Sequence, residues 1–83
     1  IDPVDATALE ALARYQYQVG HYMDARAFSE RRLAAAPATP AVLLLASQIE
    51  EKLGDRAAAA RYVQRLRAEF PQSGTVQSGG SSQ

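Results

Sequence analysis

Apolar and polar positions follow a helical period along this chain, and the pattern runs twice. In the first stretch Leu9, Leu12 (or Ala13) and Gln16 share one face, while Glu10 and Arg14 lie outside as a favourable i,i+4 pair. This predicts a helix from about Ala6 to Val19. Asp5 caps it, because its carboxylate can accept a bond from a free first-turn N–H. Gly20 ends it, since glycine enters the left-handed conformation without steric cost. A second helix is predicted from about Tyr22 to Ala35, stopping before Pro37, with Arg31 and Arg32 in the last turn suited to the negative end of the helix dipole. Thr39 then caps a third helix, which has Pro40 at its first position and runs to Leu53. Gly54 turns the chain, and a fourth helix from about Arg56 to Phe70 closes before Pro71.

The two halves are in register at thirty-four residues. Pro3, Pro37 and Pro71 keep that interval, as do Gly20 with Gly54, Ala25 with Ala59, and the candidate caps Asp5, Thr39 and Ser73. Leu9 with Leu43, Val19 with Leu53 and Phe28 with Tyr62 repeat the apolar positions. Small residues have a place in this design. Ala25 and Ala59 are expected where two antiparallel helices cross, opposite Ala13 and Ser47, letting the axes close to the lower end of the usual ~8–10 Å.

Composition narrows the function classes. The 83 residues carry a formal net charge of zero with scattered cations, so neither nucleic acid nor an anionic membrane is electrostatically favoured. With no cysteine, disulfides, thiolate zinc sites and cysteine nucleophiles are excluded. The longest apolar run, Ala41 to Ala46, is far short of the ~20 residues of a membrane span. Glycine and serine dominate "SGTVQSGGSSQ" from Ser73 to Gln83, which reads as a flexible tail adding no stability beyond about Thr75. Ile1 is not a natural start, and Ile1-Asp2-Pro3 falls where an earlier repeat would end, so the chain is expected to begin inside an array.

Candidate chemistry is sparse. His21 has Asp24 and Ser29 nearby in sequence, but it falls beside Gly20 in a turn, with no other histidine or cysteine to share a metal, and reads as a solvated loop residue. Glu50 and Glu51 point about 100° apart on a helix and read as charged surface rather than an acid/base pair. No phosphate-binding glycine loop or nucleophile elbow occurs. Catalytic residues, cofactors and metals are therefore not expected, and the chain reads as non-enzymatic.

The thirty-four-residue helix–turn–helix with Gly20, Ala25 and Pro37 in one unit and Gly54, Ala59 and Pro71 in the next resembles the tetratricopeptide repeat. That resemblance implies an all-α solenoid of two repeats, four antiparallel helices in all, as a fragment of a longer array. Residues 1–4 would be the remnant of a preceding repeat, 5–38 and 39–72 the two repeats, and 73–83 the tail. Ser29 and Val63 stand where the family has a late aromatic, and Arg32 and Leu66 where it has a small residue, which implies looser packing around the second helices. Within this class, "LLLASQIEEKLGDRAAAARYVQRLRAEFPQS" is similar to the C-terminal end of the type IV pilus biogenesis/stability proteins, the tetratricopeptide-repeat pilotins. Leu43, Leu45, Ile49, Glu50, Leu53 to Arg56, Ala59, Tyr62, Leu66, Phe70, Pro71 and Ser73 carry that likeness, while Leu44 and Ala46 replace the tryptophan and glycine common there.

The pilotin likeness implies an outer-membrane lipoprotein facing the periplasm that helps a pilus secretin assemble, with a signal peptide and anchor cysteine upstream of Ile1. The alternative is a generic peptide-binding adaptor or chaperone helper in the cytoplasm. In this architecture the first helices line a concave groove. Thr7, Glu10, Arg14, Tyr17 and Gln18 would line it in unit one, and Ala41, Leu44, Gln48, Glu51 and Lys52 in unit two. Tyr17 reads either as a partner contact rimmed by charge or as an ordinary half-buried helix tyrosine. The groove lacks the Lys/Asn set with which chaperone-binding members grip a C-terminal carboxylate. Ala8, Leu12, Tyr15 and Val19, with parts of Tyr62, Val63 and Leu66, are expected to lie uncovered at the two ends, so the chain is expected to self-associate.

Overall fold

Alanine, leucine, arginine and glutamate fill the four periodic segments and favour helix throughout. The computed structural model describes residues 5–72. It contains α1 (Ala6–Gln18), α2 (Tyr22–Ala35), α3 (Pro40–Leu53) and α4 (Arg56–Glu69), with no strand among the described residues. The fold is all-α, built from two packed helix–turn–helix pairs. Val19 and Phe70 act as C-caps rather than last helical residues, so α1 and α4 each end one position short of expectation. Residues 1–4, Ser73 and the tail, for which a repeat remnant, a cap and a flexible end are expected, lie outside the described residues.

The thirty-four-residue register is written into the backbone hydrogen bonds. Asp5 Oδ1 accepts from Ala8 N–H at 2.8 Å, and Thr39 Oγ1 from Val42 N–H at 3.2 Å, so both predicted caps form. At the end of α1, His21 N–H donates to Gln16 O (2.8 Å) and Gly20 N–H to Tyr17 O (3.1 Å). At the end of α3, Asp55 N–H donates to Glu50 O (2.9 Å) and Gly54 N–H to Glu51 O (3.1 Å). Each pair is a Schellman turn, which needs a left-handed residue, and Gly20 and Gly54 supply it at φ 86° and 84°. Asp55 adds a cap that the periodicity did not reveal, accepting from Ala58 N–H at 3.0 Å.

Each helix packs on the next, and α1 meets α3 over a few residues, so α2 sits between the two first helices. Where the hairpins cross, Ala13, Ala25, Ser47 and Ala59 are all buried, which bears out the small-residue crossing. Ala13, Ala25, Leu45 and Ile49 form the shared core of the two units, with Tyr17, Phe28 and Leu53 packed against it. On α1 it is Leu9 and Ala13 that turn inward, while Leu12 stays 38% exposed. The looser packing expected at the second helices does not occur at Ser29 and Arg32. Both are buried, and so is Leu66, which was expected to lie partly uncovered, while Val63 is half-buried.

Candidate functional site

Glu50 is not charged surface. It is buried one turn before the end of α3, and Arg26 on α2 grips it from the neighbouring unit. Arg26 Nε–H donates to Glu50 Oε2 at 3.1 Å and Nη2–H to Oε1 at 2.7 Å, a bidentate fork. Asp55 Oδ2 lies 4.0 Å from the same Nη2, so one arginine ties α2 to the corner between α3 and α4. The hydrogen bonds to Glu50 raise the Arg26 pKa above its ordinary value, against a smaller opposing effect of burial. Glu51, the next residue, is exposed as expected. A carboxylate held this way is a fastener between units, and Asp55 shares the same guanidinium.

Arg32, unlike the half-buried Arg26, is fully buried. Its Nη1 and Nη2 donate to Ala36 O and Pro37 O at 3.1 Å, satisfying carbonyls left free at the end of α2. Among the described residues its Nε has no hydrogen-bond partner, and Glu10 Oε1 lies 3.9 Å from it. Thirty-four residues on, Glu10 and Arg32 become Leu44 and Leu66. A charged pair in one unit is thus matched by an apolar pair in the other, which avoids leaving a lone buried charge.

The candidate partner-contacting stripes occupy equivalent positions of α1 and α3. Arg14, Gln18, Gln48, Glu51 and Lys52 are exposed, Leu44 is 37% exposed, and Thr7 and Ala41 flank them in the open. Three members of the stripe already have partners, Arg14 among them through Glu10. Glu10 is half-buried, bonded to Arg14 at 2.8 Å and close to Arg32. Tyr17 packs on the core and meets Tyr22 edge to face at 5.6 Å between centroids, so only part of its ring is free. The stripe that remains is polar with one apolar residue, Leu44.

The residues screened for catalysis do not converge. His21 is exposed in the first turn, its Nδ1 2.8 Å from Gln16 Oε1, while Ser29 is buried two turns further along α2. Among the described residues no three His, Cys, Asp or Glu side chains cluster as a metal site. A shallow, open depression of about 480 Å³ lies along α4 between Arg61, Tyr62, Arg65 and Glu69, away from both stripes. No helix among the described residues is long and apolar enough to cross a membrane. Comparison with protein-family models, with curated proteins and with solved structures finds no match to this chain.

Proposed function

We propose that this chain is a non-enzymatic protein-binding module of the tetratricopeptide type, whose partner lies along the stripes of α1 and α3. The observation that supports it is the pair of stripes at one register, Arg14 and Gln18 beside Gln48, Glu51 and Lys52, left exposed on helices held in place by the hairpin packing of α1 on α2 and α3 on α4. Polar side chains on a rigid helical frame can exchange water for partner hydrogen bonds at small ordering cost. The quoted segment from Leu43 to Ser73 supports the narrower reading: a pilotin-like outer-membrane lipoprotein on the periplasmic side that assists assembly of a type IV pilus secretin.

Pull-down from envelope extracts with the full-length protein tests this. Capture of an outer-membrane secretin, lost in Arg14→Glu and Gln48→Glu variants that remain helical, is the expected result. Capture of cytoplasmic peptides through the same stripe instead would favour the adaptor alternative. A partner whose binding ignores both substitutions would remove the stripe from the mechanism.

A further inference from the structure

The internal repeat shows what belongs on the open face of α1. Leu45, Ile49 and Leu53 of α3 pack on the Ala13–Ala25 surface of unit one, together with Phe28. Thirty-four residues earlier, the equivalent positions are Ala11, Tyr15 and Val19. Ile49 is 0% exposed, whereas Tyr15 is 58% and Val19 45%. The difference has one structural cause. Among the described helices, α3 has both α2 and α4 against it, while α1 has α2 and a marginal contact with α3. The receiving surface is duplicated as well: Ala59 and Tyr62 of α4 are the equivalents of Ala25 and Phe28.

We propose that the Ala11–Tyr15–Val19 face docks on the Ala59–Tyr62 end of a second copy of this chain, head to tail, as unit two docks on unit one. Charge permits it. Inside the chain this junction contains the Arg26–Glu50 pair, but the equivalent residues at the junction between copies are Ala60 and Gln16, both neutral. At these two positions neither partner brings an ion that would be stranded in the contact. An interface joining two different surfaces does not close on itself, so association continues past the dimer. The inference stands apart from whichever protein binds the α1 and α3 stripes.

Sedimentation of the full chain and of two exposed-site variants tests it. The parent should rise in average mass with concentration, beyond twice the 8.9 kDa chain and without a plateau at the dimer. Tyr15→Glu and Ala60→Glu should each remain monomeric alone, with unchanged circular dichroism, yet form a 1:1 dimer when mixed, because each retains the face the other has lost. Val19→Glu serves in place of Tyr15→Glu if that variant loses helicity. Restoring the internal ion pair, with Gln16→Glu and Ala60→Arg in one chain, should strengthen association and make it salt-sensitive. A parent that stays monomeric to millimolar concentration overturns the proposal. So does association that Ala60→Glu leaves intact, the result expected of α1-to-α1 pairing or of helix exchange.

Discussion

Replacing Ala25 by leucine tests the packing principle that defines both units. Ala25 is 0% exposed and touches Ala13, Leu45 and Ile49, so three added carbons have no space to enter. Overpacking of this kind costs about 1–3 kcal/mol. The upper part of that range is expected here, because α2 is held by α1 on one side and α3 on the other, and yielding to either disturbs both junctions. Ala59→Leu should cost less, near the lower end. Among the described helices α4 packs chiefly on α3, so it can move outward. Ala27→Leu, an exposed position on α2, should change stability by under about 0.5 kcal/mol and serves as the control. For a domain of this size each kcal/mol shifts the melting midpoint by about 4–8 °C, so Ala25→Leu at ~2–3 kcal/mol should lose roughly 8–24 °C. Thermal melts followed by circular dichroism, at a concentration low enough to keep the chain monomeric, provide the measurement. Equal midpoints for Ala25→Leu and Ala27→Leu would refute the close crossing, and a larger loss at Ala59 than at Ala25 would refute the explanation from confinement.

Leu43→Ala, at a fully buried position, should cost about 2–5 kcal/mol, while Leu44→Ala beside it should cost far less; urea titrations of the pair check the inward face of α3. Gly54→Ala should cost about 1–2 kcal/mol from its φ of 84° alone, since nothing lies within 4 Å of the added methyl; a melt unchanged from the parent would contradict the turn. Burial is the main cause holding the Tyr62 phenol above its ordinary pKa of 10.0, with the carboxylates of Glu50 and Glu30 adding to it. The folded chain therefore keeps that proton more tightly than the unfolded chain, and its stabilising contribution is complete below pH 10 and lost as pH rises through the folded pKa. Midpoints measured across that range should fall more steeply for the parent than for Tyr62→Phe; parallel slopes would count against the burial.

The repeat was legible because its signals are local. A glycine at φ 86° or 84°, an Asp5 or Thr39 cap and a proline at Pro40 each act within one turn of chain, and their spacing survives translation into structure unchanged. The close crossing was also legible, since Ala13, Ala25, Ser47 and Ala59 sit at fixed distances from those turns. Tertiary packing decided the rest. Periodicity identifies the face a helix turns to its own hairpin partner, but α3 is covered on a second side by α2, and only there do Glu50 and Arg26 meet across twenty-four residues. For the same reason periodicity alone places a charged residue such as Glu50 on the surface. Arg32 looked like a misfit in a small-residue position until the end of α2 brought two free carbonyls to it. At the candidate stripes, sequence register placed the positions, while three-dimensional contacts determined that Glu10 and Tyr17 are partly covered, with Arg14 paired to Glu10, and that Gln18, Gln48, Glu51 and Lys52 stay exposed. Burial of a long side chain depends on which helix arrives beside it, and that neighbour is fixed by the assembly of the whole chain rather than by any one segment.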